Sequence, residues 1–239
     1  MAKVICKTTD EIWYLHFGRP ATDVFSCSPF NFSKVGEQLI DIRALNVKRY
    51  NGFYANEHHI TTDSYYHIIL PYINLHTKVF KFKYDDFELV KNFTSDMKHD
   101  VSYLKPKNDT HRFTISINGK TVARHVKFDA LHNEKRIHKD NVSADSSSEY
   151  HRLFRGSHAC NRIINETIDN DKKIFISGDS MCIPIIPILC CYFKEVVYMD
   201  NRDGKSHKDY YEGKTFDTVW LAFYDAGGTA NRYLETNLM

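Results

Sequence analysis

The pattern of apolar and polar residues is most regular in the last third of the chain. Ile174–Ile176 is a short β-branched and aromatic run that stops at a Ser-Gly pair, a pattern typical of a buried strand. The apolar run from Met181 to Phe193 predicts a buried helix. We expect this helix to start near Ile183, since the first four backbone N–H groups of a helix have no intrahelical partner and prolines are tolerated there.

Two further apolar runs complete this region. Val196–Met199 and Phe216–Tyr224 each predict a strand, separated by a polar stretch that contains two glycines. An order of strand, helix, strand, connection and strand is typical of a parallel sheet covered on both faces. The last third therefore predicts an α/β fold.

The first and middle thirds differ in pattern. Gln38–Ile42 predicts a strand, and Thr62 or Asp63 can cap a helix whose apolar face has helical spacing, with Tyr66, Ile69, Leu70 and Ile73. Residues 79–84 and 113–119 instead alternate apolar and polar residues, and Asn118-Gly119 is a favourable hairpin turn. We therefore predict a single α/β domain over residues 1–239, with an antiparallel β-rich insertion over residues 77–144.

Composition narrows the functional classes. Among the 239 residues, 32 are Lys or Arg and 30 are Asp or Glu, so the net charge of +2 does not favour nucleic-acid binding. The 13-residue apolar run at 181–193 is too short for a membrane span, and the polar start of the chain predicts no signal peptide. The six cysteines show no CxxC spacing, which favours a reducing compartment. We expect a cytoplasmic location for the sequence as it stands, or an exported one if a native N-terminus is missing.

Candidate chemistry lies where the predicted strands end. Ligands of parallel sheets bind at the carboxyl ends of the strands, which here are followed by Gly178-Asp179-Ser180, Asp200-Asn201-Arg202 and residues 225–231. A serine in a strand-to-helix turn can act as a nucleophile, and the first N–H groups of the helix can stabilise negative charge. The alternative is that Asp179 or Ser180 only caps the helix.

A serine nucleophile needs a base, and the chain contains 13 histidines. Glu57-His58-His59 offers an imidazole and a carboxylate two residues apart. Two adjacent histidines can also be solvent-exposed, and the three residues are metal-ligand types, although they lack the spacing of a zinc motif. Asp109-Thr110-His111 is a competing acid–base pair.

Two segments resemble one known family. Residues 36–43 (GEQLIDIR) with 53–66 (FYANEHHITTDSYY) resemble the DHHW motif region of the DHHW and alginate O-acetyltransferase-like branch of the SGNH hydrolase superfamily. Residues 175–200, which contain the Gly-Asp-Ser turn, resemble the second landmark of that branch. The resemblance covers about half of the chain, and it implies a flavodoxin-like, three-layer parallel sheet.

The resemblance also implies roles for individual residues. By position, Ser180 is the nucleophile, His59 the general base and Glu57 the carboxylate that orients the base, so that the three form a Ser-His-Glu triad. The chain has Glu57 where the family has aspartate and Ile60 where it has tryptophan. His58 is a less favoured base. The substrate-binding candidates are His58, Asp179, Asn201, Arg202 and Asn231, and no metal or cofactor is expected.

The implied function is that of a carbohydrate-modifying enzyme, either an O-acetyltransferase or an acetylesterase acting on a bacterial surface polysaccharide or its precursor. Its partners would be a carbohydrate acceptor and an acetyl donor that the sequence does not identify, with acetyl-CoA as one candidate. The alternative is a catalytically inactive protein that binds glycan or a protein partner through the same cleft. A third interpretation is a metal-binding protein that uses Glu57, His58 and His59.

Overall fold

The structure is a computed structural model that describes residues 7–8, 12–17, 39–41, 84–94, 99–126, 128, 160–178, 180–200 and 213–224. Its strands, in chain order, are β1 (Lys7–Thr8), β2 (Ile12–Phe17), β3 (Leu39–Asp41), β4 (Phe87–Thr94), β5 (His99–Pro106), β6 (Phe113–Ile117), β7 (Lys120–Val126), β8 (Asn161–Asn165), β9 (Lys173–Gly178), β10 (Glu195–Asp200), β11 (Thr215–Phe216) and β12 (Thr218–Tyr224). The helical elements are two 3-10 helices, at Tyr84–Asp86 and Ser180–Ile185, and the four-residue helix α1 (Ile186–Leu189).

Eight strands form the main sheet, in the order β3-β2-β12-β9-β10-β8-β6-β7. The first five are mutually parallel, and β8, β6 and β7 continue the sheet in antiparallel pairing. Strands β4 and β5 form a separate antiparallel pair, and β1 pairs with β11. The parallel strands that the sequence predicts at 38–42, 174–176, 196–199 and 216–224 are therefore confirmed, and the mixed sheet is compatible with an α/β fold.

The core is centred on β9 and β10. Ile174 to Gly178 and Val196 to Asp200 are buried without alternation, because elements cover both faces of these strands. Val196, Val197, Ile174 and Ile176 are each 0% exposed. Full burial of a valine or isoleucine side chain contributes about 1.5 to 3 kcal/mol, so this strand pair contributes a large part of the hydrophobic stabilisation.

The predicted buried helix is confirmed, but it begins and ends differently. It starts at Ser180 as a 3-10 helix, becomes α-helical only over Ile186–Leu189, and is followed by a turn instead of continuing to Phe193. Pro184 and Pro187 have no N–H to donate, so they limit the run of α-helical hydrogen bonds. Burial of all four residues of α1 stabilises this short helix.

The predicted strand at 216–224 is divided at Asp217, between β11 and β12. The Asp217 carboxylate accepts hydrogen bonds from the Lys173 backbone N–H and from Lys172 Nζ, both at 2.8 Å. These two bonds, and the positive charge of Lys172, lower the pKa of Asp217 against the opposing effect of its partial burial. The Asp217 N–H also donates to the Lys173 carbonyl at 3.0 Å, so at this break both the backbone and the side chain of Asp217 bind Lys173.

The predicted hairpin is confirmed. Asn118 and Gly119 connect β6 to β7 with φ of 49° and 80°, the positive values of a type I′ turn. Asn118 also joins this turn to β8: its N–H donates to the Cys160 carbonyl at 2.8 Å, and its Oδ1 accepts from the Cys160 N–H at 3.1 Å. The turn therefore helps to attach the hairpin to the main sheet.

The middle of the chain is antiparallel as predicted, since β4 pairs with β5 and β6 with β7. At the predicted strand 79–84, Tyr84 begins a 3-10 helix, and residues 79–83 lie outside the described residues. The predicted helix beginning near 62 also lies outside them, and the domain boundaries stay predictions.

Among the described residues, we find no helix with the length and apolar character that crossing a membrane requires.

The hairpin turn gives a prediction for stability. A Cβ at Gly119 would contact no heavy atom within 4 Å, so only its positive φ disfavours other residues. We expect Gly119→Ala to lower the free energy of unfolding by about 1 kcal/mol. Gly119→Asn should cost less, because asparagine tolerates a positive φ. Urea denaturation of the three proteins measures both effects, and an equal loss for the two variants would contradict this explanation.

Candidate functional site

The candidate site lies at the carboxyl edge of the parallel strands. Gly178 ends β9, with Asp200 of β10 beside it on one side and Ala222 of β12 on the other. Ser180 is the first residue of the following 3-10 helix. The chain passes from β9 to β10 on one side and later to β12 on the other, so the strand order reverses at β9. Ligands of open α/β sheets bind at such reversals.

A buried polar pair stands beside this turn. The Tyr198 hydroxyl donates to Asp200 Oδ2 at 3.3 Å, and both residues are 0% exposed. Residues two apart on a strand share a face of the sheet, which explains how the two side chains meet. Asp200 is predicted at the end of a strand but is not among the predicted site residues, although a Tyr-x-Asp spacing at a strand end is a readable signal.

Asn161 is a second buried polar residue near the same edge, and it is not among the predicted site residues. It begins β8, lies opposite Tyr198 on the same face of the sheet, and is 1% exposed. Neither its amide nitrogen nor its amide oxygen has a hydrogen-bond partner in the described part of the chain. A buried amide without a partner costs about 1 to 3 kcal/mol. Asn161 therefore lowers the stability of the fold at a position close to the serine turn.

Asn165, at the other end of the same strand, is buried to the same extent and is fully bonded. Its Nδ2 donates to the Cys190 carbonyl at 2.8 Å and lies 3.0 Å from His111 Nδ1. Its Oδ1 accepts from the Thr167 N–H at 3.0 Å and from Thr167 Oγ1 at 2.7 Å. Asn165 thus ties β8 to the end of the buried helix, and it is the natural control for Asn161.

Of the predicted site residues, only Ser180 belongs to the described residues, as the first residue of its helix. The others lie outside them: Glu57, His58, His59, Asp179, Asn201, Arg202 and Asn231. The predicted triad and the predicted substrate contacts therefore stay predictions. In the ranges that the structure covers, no group of three His, Cys, Asp or Glu side chains has an arrangement suited to a metal ion.

The competing acid–base pair at 109–111 has a different role from the one its spacing indicates. Asp109 Oδ1 accepts a hydrogen bond from the Phe128 N–H at 3.0 Å, and His111 Nδ1 meets the amide of Asn165. Burial lowers the pKa of His111 below its ordinary value, with the nearby Asp109 charge acting in the opposite direction. Burial therefore favours the neutral imidazole, and the ring of His111 is bonded to the Asn165 amide while the Asp109 carboxylate bonds the Phe128 N–H.

The partners of Asn165 also determine where the His111 proton lies. The Thr167 N–H can only donate and the Cys190 carbonyl can only accept, so the amide oxygen of Asn165 faces Thr167 and its nitrogen faces His111. His111 Nδ1 must then accept a hydrogen bond, and the ring proton is on Nε2.

His111 lies at the opposite edge of the parallel strands from Ser180. Its partner Asn165 donates its N–H to the carbonyl of Lys194, just before β10, whereas the serine turn adjoins Asp200 at the end of that strand. The five steps from Glu195 to Asp200 span about 16 Å at 3.3 Å per residue. His111 is too distant to act as the base for Ser180.

Comparison with solved structures finds the same fold in other proteins. The structure of Bacillus cereus PatB1 with a sulfonyl adduct superposes with a TM-score of 0.59 at 16% identity, covering 94% of this chain and 85% of that chain. A second Bacillus cereus PatB1 structure gives a TM-score of 0.59 at 16% identity, with 91% and 85% covered. A DHHW family protein from Eubacterium siraeum gives 0.56 at 11% identity, with 98% and 84% covered. No protein-family model and no curated protein sequence matches this chain.

The two buried asparagines of β8 give a matched pair of predictions. Asn161→Leu removes a polar group without partners, so we expect it to raise the free energy of unfolding by about 1 kcal/mol. Asn165→Leu leaves the Cys190 carbonyl and the Thr167 N–H without their partner, and we expect a loss of about 3 kcal/mol. Urea denaturation midpoints at constant m-value measure both changes. A similar destabilisation by the two variants would refute the distinction between them.

Proposed function

We propose that the chain is a carbohydrate-modifying acetyl-transfer enzyme, an O-acetyltransferase or an acetylesterase, that uses Ser180 as its nucleophile. The observation that carries this proposal is the position of Ser180, two residues after the end of β9 where the strand order reverses, in a fold shared with PatB1 and a DHHW family protein. Two resemblances in the sequence also support the proposal. The segment around residues 57–59 resembles the DHHW motif region, and the segment around residues 178–180 resembles the serine turn of the same family.

The sulfonyl adduct of PatB1 supports a nucleophilic mechanism for this fold. Sulfonyl reagents form covalent bonds with activated nucleophiles, and a serine becomes one when a base accepts its proton. In the present chain, our candidates are Ser180 as the nucleophile, His59 as the base and Glu57 as the carboxylate that orients the base.

The proposed reaction is a double displacement. Ser180 Oγ attacks the acetyl carbonyl of the donor while His59 takes the hydroxyl proton, and His59 then gives that proton to the departing donor group. The product is an acetyl ester on Ser180. A sugar hydroxyl, or water in an esterase, attacks this ester as His59 removes its proton. The bond between the acetyl carbonyl carbon and Ser180 Oγ then breaks, the acetyl group leaves on the acceptor oxygen, and Oγ takes its proton back from His59.

The negative charge that develops on the acetyl oxygen needs hydrogen-bond donors. The chain turns from β9 into a 3-10 helix at Ser180, and the first N–H groups of a helix have no partners within that helix. We propose that the Ser180 N–H is one donor of the oxyanion hole. Asp179, Asn201, Arg202, Asn231 and His58 are the candidates for binding the substrates.

The proposed acceptor is the hydroxyl group of a bacterial surface polysaccharide or its precursor. The net charge of +2 does not require a charged polymer as partner. The donor is an acetyl ester or thioester, for which acetyl-CoA is one candidate. Transfer and hydrolysis share the acetyl-serine stage and differ in whether sugar or water reacts with it.

An assay with a chromogenic acetyl ester tests the proposal. We expect Ser180→Ala and His59→Ala each to lower kcat/KM by at least about 100-fold, because each removes a group that acts in the transition state. His58→Ala is the matched control for the base and should lower kcat/KM by less than about tenfold.

Ser177→Ala is the matched control for the nucleophile. Ser177 lies three residues earlier and is 0% exposed within β9, so it is not available to substrate. Thermal denaturation confirms that each variant is folded. Equal rates for the wild type, Ser180→Ala and His59→Ala would overturn the proposal and favour a non-catalytic glycan-binding or partner-binding protein.

A further inference from the structure

A pocket of about 310 Å³ opens at the amino edge of the parallel strands, the edge opposite the serine turn. Its walls come from three places: the start of the β4–β5 pair, the segment before β6 and the turn after α1. The residues that determine its chemistry are Asp85, Asp86, Phe87, Lys107, His111 and Tyr192. None of them takes part in the proposed acetyl transfer.

Two aromatic rings form one wall of the pocket. Phe87 and Tyr192 stack with ring centroids 6.2 Å apart and planes inclined by 28°. Phe87 is 6% exposed and Tyr192 is half-buried, so both rings are held in place by packing. Such a wall offers a ligand a fixed apolar surface at little cost in side-chain entropy.

His111 supplies a directed hydrogen-bond donor. Its Nδ1 accepts from Asn165, which places the proton on Nε2, and Nε2 has no hydrogen-bond partner among the described residues. The ring is also stacked on Phe113, with centroids 5.8 Å apart. The donor is therefore oriented by the protein before any ligand arrives.

The charged groups of the pocket favour a ligand that donates hydrogen bonds. Asp85 and Asp86 are exposed carboxylates that can only accept, and Lys107 is the single cation among the pocket-lining residues. Two negative charges against one positive charge disfavour a phosphate or another anion. Cys191, also in the wall, offers no reactive thiolate, because burial raises its pKa well above the ordinary value.

We propose that this pocket binds a neutral pyranose sugar. A pyranose ring has C–H faces that pack against aromatic rings, and its hydroxyl groups both donate to carboxylates and accept from an N–H. One cavity offers a partner for each of these groups. The aromatic wall of Phe87 and Tyr192 can pack against the C–H face, the carboxylates of Asp85 and Asp86 can accept from hydroxyl groups, and His111 Nε2 can donate to a hydroxyl oxygen. The pocket and Ser180 lie at opposite edges of the parallel strands, so this site is separate from the proposed chemistry.

Sugar titrations of the full chain test this site. The probes are glucose, galactose and N-acetylglucosamine, with inorganic phosphate as the anionic counterpart, and binding is followed by saturation-transfer NMR and by calorimetry. We expect at least one sugar to bind, and His111→Phe and Asp86→Asn each to weaken that binding by fivefold or more. The introduced phenyl ring can still stack on Phe113, and Asn165 keeps its bond to the Cys190 carbonyl, so the first variant mainly removes the Nε2 donor. Asp86 is exposed, so the second variant does not depend on core packing.

The matched control is His125→Phe, because His125 is 61% exposed on β7 and lies outside the pocket. Sugar binding should be unchanged in this variant, and the rate with the chromogenic acetyl ester should be unchanged in His111→Phe and Asp86→Asn. The site is overturned if no sugar binds, if sugar affinity is the same in the pocket variants and the wild type, or if phosphate binds there instead. The outcome for Ser180→Ala in the ester assay decides the acetyl-transfer proposal separately.

Discussion

The parallel pairing of β9 with β10 and β12 is the constraint on which the rest of the structure depends. Both faces and both edges of β9 are covered, so its register with each neighbour is set by buried side chains as well as by backbone hydrogen bonds. Because the strands are parallel, their carboxyl ends meet at one edge. The same pairing places Gly178 between Asp200 and Ala222 and leads the chain into the helix at Ser180.

The two edges of this sheet have different polar chemistry, and the buried asparagines of β8 illustrate the difference. At the amino edge, Asn165 is bonded to a turn, to a helix end and to His111, so its amide stabilises the fold and holds a histidine that lines the pocket. Toward the carboxyl edge, Asn161 has a buried amide without partners in the described ranges. The unpartnered amide of Asn161 lies toward the edge that carries the serine turn, and polar groups without partners in the fold are common near functional sites.

The sequence pattern predicts correctly those elements whose structure depends on residues within the element itself. The run at Ile174–Ile176 predicts a strand, and Asn118-Gly119 predicts its turn, because burial and positive φ are properties of those residues themselves. The break at Asp217 depends on Lys172 and Lys173, which are about 45 residues away in sequence, so no local pattern reveals it. The structural role of His111 likewise depends on Asn165, 54 residues away. For the site, the sequence places Ser180 at a strand end, whereas the buried state of Asp200 and Asn161 follows only from the pairing of the strands.

Covalent labelling is the most direct test of the central claim that Ser180 is an activated nucleophile at the reversal of strand order. The folded chain is incubated with one equivalent of an arylsulfonyl fluoride, and the modified residue is identified by tandem mass spectrometry. We expect a single sulfonyl group on Ser180, with labelling strongly slowed in His59→Ala and absent in the unfolded chain. Labelling of other residues with Ser180 unmodified, or labelling of Ser180 at the same rate in the folded and the unfolded chain, would contradict it.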